Sequence, residues 1–244
     1  MPGTRLEPDD GAELPKFAVV GAYDPAGDSS FVQHVAILRD KCSVKYGEEV
    51  AVWHTAPPIV AGERTSSMSP NVLDTSPAHV AAYLDDLSAG DVQGIETVLA
   101  DIDAQTQPLS TWCANSTRRA RLEGYRVHYT AHPPVQWIRD AKTGRRRYRK
   151  FSCSGFVVEC YKGADIVLVH ASDEALPEVD LPTLRQGYGS LLDDSGRRNS
   201  IGLDGKGPWR MLLAGYVIHA AARDASEIRA KPYCPNGIDA ARFP

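Results

Sequence analysis

The sequence contains few cysteines, and their spacing gives no sign of pairing. It has five, spread along the chain, and no two have the CxxC spacing of a zinc or redox motif. This argues against a disulfide scaffold and against a structural zinc site. Reduced thiols are typical of a cytoplasmic protein, which is the location we expect. The cysteines are Cys42, Cys113, Cys153, Cys160 and Cys234.

The sequence also lacks long apolar runs and a strong excess of charge. No apolar run reaches the ~18 residues that a membrane-spanning helix needs. The first 17 residues are polar and acidic, so we expect no secretory signal. A net charge of −4 and a pI of about 6.0 argue against a nucleic-acid partner. With 244 residues, 43% of them hydrophobic, the chain is long enough for one globular domain.

Hydrophobic periodicity predicts a mixture of strands and helices. Apolar or alternating segments predict strands at 17–22, 31–38, 49–54, 125–129, 135–139, 145–151 and 166–170. The strands at 31–38 and 49–54 would form an antiparallel meander. Helical spacing predicts helices that begin at Ser76 and Gly94, and helices over 152–161 and 209–222. The Gly-rich segment 187–207 and the tail from Lys231 are expected to be irregular.

One cysteine lies where a nucleophile would be expected. Cys153 follows a predicted strand and begins a predicted helix, in the segment FSCSGFVV. The first turn of a helix has unpaired N–H groups and a partial positive charge, which stabilise a thiolate and can hold an oxyanion. Free cysteines are also among the most buried residues, so a small core residue at a helix start is the alternative interpretation.

Two histidines on neighbouring predicted strands could assist that thiol. His34 lies in QHVAIL and His54 ends VAVWH. If the two strands pair in antiparallel fashion, both imidazoles could lie on one face, where one would act as base and the other would orient it. A single histidine in a strand is usually a structural residue, but two on paired strands make a functional role more plausible.

These segments resemble a known family of enzymes. CSGFV, with its cysteine at the start of a helix, looks like the nucleophile motif of NlpC/P60-type cysteine hydrolases, which are papain-like amidases and endopeptidases. In ordinary members the histidine follows the cysteine, whereas here HVAIL precedes it. That order is similar to the circularly permuted NlpC/P60 branch, which includes lecithin:retinol acyltransferase-like proteins. The resemblance covers residues 31–56 and 151–168.

The resemblance implies a fold and a site. We expect an α+β, papain-like domain over residues 1–244, with a small antiparallel sheet packed on the nucleophile helix. Residues 57–124 would be a helical insertion, and residues 171–244 an extension of unknown role. Carried over by residue, Cys153 is the nucleophile, His34 the base and His54 the orienting group.

The implied activity is thiol-dependent acyl chemistry on a small-molecule or peptide-like substrate. Hydrolysis of an amide bond through an acyl-enzyme is the first choice. An acyltransferase or thioesterase with the same Cys-His pair is the first alternative, and a catalytically silent scaffold that binds an anionic partner is the second. Neither a cofactor nor a metal is expected, and the oligomeric state stays open.

Other chemistry-bearing residues have plainer interpretations. His79 falls in the helix predicted from Ser76 and is expected to be structural, while His219 would suit the unpermuted order. His128 and His132 have HxxxH spacing but flank a strand and turn, which disfavours a metal site. The basic run 145–150 could bind an anion near the cysteine or form a solvated edge strand. Arg118, Arg119 and Arg121 form a weaker basic cluster.

Overall fold

The computed structural model describes residues 4–23, 30–55, 59–61, 64–66, 75–115 and 129–242. The described N-terminal part is made of short strands. In chain order they are β1 (Thr4–Arg5), β2 (Ala12–Leu14), β3 (Val19–Tyr23), β4 (Val32–Leu38), β5 (Cys42–Val44), β6 (Glu48–Trp53), β7 (Ile59–Ala61), β8 (Arg64–Ser66), β9 (Thr75–Ala78) and β10 (Val80–Ala82).

Helices dominate the remainder of the described chain. The elements are α1 (Ala89–Asn115), β11 (Val135–Arg139), β12 (Arg146–Phe151), α2 (Cys153–Lys162), β13 (Glu178–Val179), α3 (Leu181–Tyr188), α4 (Ser195–Ser200), β14 (Trp209–Arg210), α5 (Ala214–Ala221) and α6 (Ala225–Ala230). Single 3₁₀ turns lie at Gly189–Leu192 and Ile238–Ala241.

The largest sheet has six strands in the order β1-β10-β3-β4-β6-β9, and all neighbours are antiparallel. Between β4 and β6 the chain leaves this sheet, because β5 pairs with β2 in a separate two-stranded ribbon. β4 and β6 are nevertheless direct neighbours, with Ile37 opposite Trp53 and Leu38 opposite Val52. The expected adjacency of the two histidine-bearing strands is therefore confirmed.

Strand β4 separates two apolar clusters. Val35 and Ile37 belong to the larger cluster, which contains the helices, whereas Ala36 and Leu38 belong to a smaller one with β2, β5 and β6. Both faces of the strand are thus covered, which explains its nearly continuous apolar sequence. The alternation is interrupted at Gln33, the extra residue of a bulge opposite Ala22 and Tyr23.

Helix α2 begins at a tightly packed point. The Ser152 hydroxyl caps it by accepting a hydrogen bond from the Gly155 N–H at 2.9 Å. A Cβ on Gly155 would lie 1.8 Å from the carbonyl oxygen of Pro134, so only glycine allows the helix to approach the loop before β11. The same carbonyl accepts the Ser152 N–H at 3.0 Å.

The C-terminal part of the chain contributes to the same core as the sheet. The larger apolar cluster includes Leu184 and Val217 together with Val35 of β4 and Phe156 of α2. An antiparallel sheet with helices packed on it is an α+β arrangement, as the sequence predicted. Among the described residues, none of the helices has the length and apolarity required to traverse a bilayer.

The helix predicted from Ser76 is wrong, because residues 75–82 form strands β9 and β10. β9 is the last strand at one edge of the sheet, where the missing N–H of Pro77 is tolerated. Segment 57–124, expected as a helical insertion, therefore contributes two strands to the main sheet as well as helix α1.

Two other element predictions also differ from the structure. The helix predicted over 209–222 is shorter, because Trp209 and Arg210 form β14 and α5 begins at Ala214. Residues 166–170 form no strand, and Val169 makes only an isolated bridge to Tyr233. Most of the strand predicted at 125–129 lies outside the described residues.

Candidate active site

The two predicted histidines lie in contact. His34 Nε2 is 2.7 Å from His54 Nδ1, and the rings meet edge to face with centroids 4.8 Å apart. His34 follows the bulge in β4, and His54 is the residue after β6. Because these strands pair directly, the two histidines are within hydrogen-bond distance although 20 residues separate them along the chain. The structure thus brings together the residues predicted as base and orienting group.

Burial keeps the His34 imidazole neutral. Burial, with a smaller contribution from the nearby His54, lowers the pKa of His34 to about 3. A neutral imidazole has one N–H and one lone pair on its two ring nitrogens. The direction of the hydrogen bond between His34 and His54 therefore decides which nitrogen of His34 carries the hydrogen. If His54 donates to Nε2, Nδ1 of His34 carries the hydrogen; if His34 donates, Nδ1 is free to act as a base. The second tautomer is the one that base catalysis requires.

Cys153 occupies the first position of α2, and only 7% of its surface is exposed. Ser152 engages two of the four N–H groups of the first turn, since its hydroxyl accepts from Gly155 and its carbonyl from Phe156. The N–H groups of Val35, Ser154 and Cys153 lower the pKa of the thiol. The thiol lies against β4, because Val32 and Gln33 of that strand line the same cavity as Cys153.

The pKa of the Cys153 thiol is shifted in the direction opposite to the one expected from the sequence. Burial raises the pKa of Cys153, and the N–H groups of Val35, Ser154 and Cys153 lower it less than burial raises it. We expected the helix start to lower this pKa, but desolvation is the larger effect. The resting site therefore pairs a neutral thiol with a neutral imidazole. Within the described residues, the sulfur has a 3.9 Å contact with Ser154 Oγ and no hydrogen bond to His34.

A narrow cavity of about 20 Å³ opens beside Cys153, enough for one water molecule. Its walls come from β4, from the start of α2, from α3 and from the segment before α5. Most of the lining side chains are apolar, and the Ser154 hydroxyl lies 3.9 Å from the sulfur. The lining residues are Phe31, Val32, Gln33, Ser152, Cys153, Ser154, Leu184, Tyr188, Leu212, Leu213 and Ala214.

Two tyrosines that the sequence did not indicate stand near the thiol. Tyr188 lines the cavity, and the hydroxyl of the buried Tyr129 donates a hydrogen bond to its hydroxyl at 3.1 Å. Burial raises the pKa of both phenols, and the charge of a Cys153 thiolate raises it further. Tyr188 falls at the start of a segment expected to be irregular, so no periodicity pointed to it.

The other histidines have separate structural partners. His79 lies between β9 and β10 and accepts the Tyr23 N–H at 3.0 Å through Nδ1, so it is structural, although not helical as expected. His219 lies in α5, where its Nε2 is 2.5 Å from the carbonyl oxygen of Arg242. His132 is described, whereas His128 lies outside the described residues. In the described part of the chain no three His, Cys, Asp or Glu side chains cluster as a metal site would require.

The basic side chains of the run 145–150 differ in burial. Arg146 and Arg147 are exposed, as expected for a solvated strand. Arg149 is buried and bridges two helices, because its guanidinium pairs with Glu159 of α2 at 3.0 Å and with Asp101 of α1. This arginine supports the cysteine helix and is engaged by carboxylates. The second basic cluster, Arg118, Arg119 and Arg121, lies outside the described residues.

Comparison with known proteins adds no identification. No family model matches the chain, and neither a curated protein nor a solved structure matches it. The functional argument therefore depends on the geometry of this site and on the resemblance of its two sequence segments.

Proposed function

We propose that this protein is a thiol-dependent acyl-transfer enzyme with a papain-like site. More specifically, we propose a cysteine hydrolase of the circularly permuted NlpC/P60 type that cleaves an amide bond in a peptide-like substrate. One observation carries the proposal: the thiol at the start of α2 lies against the strand that holds His34, and His34 is hydrogen-bonded to His54 at 2.7 Å.

The proposed reaction begins from a neutral thiol and a neutral imidazole. His34 accepts the thiol proton as the sulfur attacks the carbonyl carbon, a C–S bond forms, and the carbonyl electron pair moves to oxygen. N–H groups at the start of α2 stabilise that oxyanion. When the C=O bond re-forms, the C–N bond breaks, the leaving amine takes the proton from His34, and an acyl-enzyme remains. Water, deprotonated by His34, then attacks the acyl carbon; the C–S bond breaks, the sulfur takes the proton back from His34, and the acid is released.

His54 supports the positively charged state of His34. Its Nδ1 lies 2.7 Å from His34 Nε2, so it can accept that N–H when His34 is protonated. This contact fixes the ring orientation, as the third member of a catalytic triad does. We expect His34→Ala to slow acylation about 10²- to 10⁴-fold, the usual contribution of a general base, and His54→Ala to slow it less.

A second candidate is acyl transfer from an ester or thioester. The observation that favours it is the apolar character of most of the cavity wall beside Cys153, which suits an apolar acyl group better than a polar peptide. The same acyl-enzyme would form, and the acceptor would be an amine or an alcohol. A silent scaffold, the remaining alternative, has no use for a hydrogen-bonded histidine pair that includes a residue of the strand against which the thiol lies.

The test compares chromogenic acyl donors on the purified protein. An acyl p-nitroanilide probes amide cleavage, and p-nitrophenyl acetate probes acylation by an ester. Cys42→Ser and Cys234→Ser are introduced as background, because Cys234 is exposed and reacts with esters by itself. We expect Cys153→Ala and His34→Ala to abolish the rapid release of chromophore. Equal release from the background protein and its Cys153→Ala variant would overturn the proposal.

A further inference from the structure

The hydroxyl pair beside the thiol has a defined direction of hydrogen bonding. Tyr129 is 1% exposed, and Tyr188 is the acceptor of its hydroxyl at 3.1 Å. Among the described residues, Tyr129 has no other acceptor for its hydroxyl hydrogen. Reversing the bond would leave that buried hydrogen unsatisfied, which is unfavourable. Tyr129 is therefore the donor.

This direction leaves the hydrogen of Tyr188 for another group. A phenol has a single O–H donor, and the Tyr188 oxygen already accepts from Tyr129. Tyr188 lines the cavity of about 20 Å³ that also contains Cys153, and its position is fixed from two sides. Leu184, one turn earlier in α3, is buried in the core, and Gln33 of β4 donates to the carbonyl oxygen of Gln186 at 2.6 Å.

We propose that Tyr188 is a catalytic residue that donates a hydrogen bond to the oxyanion formed when Cys153 attacks a carbonyl. The inference rests on the proposed acyl-transfer function and adds a side chain from α3 to the N–H groups of α2. Tyr129 is a positioning residue, because its hydroxyl fixes the Tyr188 oxygen and directs the remaining hydrogen into the cavity.

The step keeps every proton accounted for. The thiol proton goes to His34 and later to the leaving group, while the Tyr188 hydrogen stays on its own oxygen throughout. Its bond to the carbonyl oxygen shortens as negative charge develops there, and it relaxes when the C=O bond re-forms. The burial-raised pKa of the phenol suits this task, because the group stays a donor over the whole working pH range.

The test uses two reactions of the same thiol that differ in the oxyanion. Acylation by p-nitrophenyl acetate passes through a tetrahedral oxyanion, whereas alkylation by iodoacetamide displaces iodide without one. Both rates are measured for Cys153 in the background that lacks Cys42 and Cys234, with each modified cysteine located by mass spectrometry. Tyr188→Phe should slow acylation about 10²-fold and leave alkylation unchanged within twofold.

The matched control is Tyr216→Phe. Tyr216 is a buried tyrosine whose hydroxyl donates to the Gly237 carbonyl oxygen at 3.2 Å, so its loss tests the removal of a buried phenol elsewhere in the core. It should change neither rate. Circular dichroism and thermal melting confirm that both variants are folded, and Tyr129→Phe should slow acylation less than Tyr188→Phe.

The outcomes separate this inference from the proposed function. If Cys153 is acylated but Tyr188→Phe slows acylation no more than alkylation, the assignment of Tyr188 is wrong and the acyl-transfer proposal survives. If the background protein shows no acylation that depends on Cys153, the proposed function itself fails, and Tyr188 loses its role with it.

Discussion

A single hydrogen bond between two imidazoles defines the site at the scale of residues. Because His34 is neutral and the Cys153 thiol is protonated at rest, the two do not form a stable ion pair before substrate binds. Proton transfer would accompany attack on the substrate. A site of this kind keeps its sulfur less reactive towards adventitious electrophiles than a preformed thiolate would be.

The first prediction concerns the pH dependence of Cys153 alkylation. Because burial raises the thiol pKa, the iodoacetamide rate should keep rising with pH beyond the ~8.5 of a free thiol. The profile is measured between pH 5 and pH 10 by mass spectrometry of each labelled cysteine. The exposed Cys234 serves as the internal reference for reagent access. A plateau for Cys153 near pH 6 would instead reveal a thiolate–imidazolium pair.

The second prediction concerns acid sensitivity. The folded-state pKa of His34 is about 3, below the ~6.5 of an unfolded histidine, so the unfolded chain binds this proton first. The stability that a neutral His34 contributes is complete above pH 6.5 and is lost as the pH falls towards 3. Burial lowers the pKa of His79 as well, which adds to the same trend.

Urea titrations at pH 6 and pH 5 measure this effect. The wild-type protein should lose about 1 kcal/mol more between the two pH values than His34→Gln does, since one proton-binding group is removed. Comparing the pH difference within each protein cancels any direct effect of the substitution on stability. Equal losses in the two proteins would contradict the low pKa of His34.

Sequence reasoning reached the histidines but missed the tyrosines. His34 and His54 stand on recognisable strands beside apolar neighbours, so their register followed from strand pairing alone. The approach of Tyr188 to Cys153 depends on how α3 packs on β4, and nothing in the local sequence encodes that contact. Desolvation of the thiol could not be predicted either, because the burial of Cys153 depends on how the whole core is assembled.

At the scale of elements, the start of α2 depends on one glycine. A Cβ on Gly155 would lie 1.8 Å from the Pro134 carbonyl oxygen, and backbone atoms there cannot rotate away as a side chain could. Gly155→Ala should therefore shift the first turn of α2 and destabilise the protein by about 2–4 kcal/mol, in the range of a strongly overpacked core substitution.

The matched control for that prediction is Gly90→Ala. Gly90 lies in the first turn of α1, where an added Cβ would meet its nearest atom, the Ser88 Oγ, at an ordinary 3.6 Å. This variant should be neutral or more stable by up to about 1 kcal/mol, because alanine favours helix. Thermal melts of the two variants, together with Cys153 alkylation rates, give the comparison. If Gly155→Ala changed neither the melting temperature nor the alkylation rate, the loop before β11 would have moved to accommodate the added methyl group, and the prediction would be wrong.

Element prediction succeeded where periodicity was clear. Apolar residues at helical spacing over 152–161 identified α2, and the structure adds Ser152 as its cap. The segment from Ser76 failed because Ser-Pro is typical of a helix start but is equally acceptable on an edge strand. Only the neighbouring strand β6 decides between the two, and that pairing is not local.

At the scale of the whole molecule, the C-terminal part is packed into the same core as the sheet. Trp53 of β6 packs against the cluster that includes Trp209 of β14, although 156 residues separate them along the chain. The α+β class was expected from the resemblance of residues 31–56 and 151–168. The packing of α5 against the cysteine helix was not, since the resemblance ended at residue 168.

This shared core predicts a single unfolding transition. Variants that keep only Trp53 or only Trp209, with the other tryptophans changed to Phe, report on the sheet and on the C-terminal part separately. Their fluorescence midpoints in urea should coincide, as two-state unfolding requires. If the Trp209 signal changed at clearly lower urea than the Trp53 signal, the C-terminal part would be an independent cooperative unit.

Between β4 and β6 the chain forms β5, which pairs with β2, and this affects how far apart the two histidines can be in sequence. Within the segment that joins β4 to β6, residues 42–44 pair with β2 and not with the main sheet, so the length of this segment is not set by the contact between His34 and His54. Insertions near the exposed Asp40 would lengthen the interval and leave the imidazole pair intact. The interval between the two histidines is therefore a poor signature of this site, and a search pattern that fixes it would overlook proteins with the same chemistry.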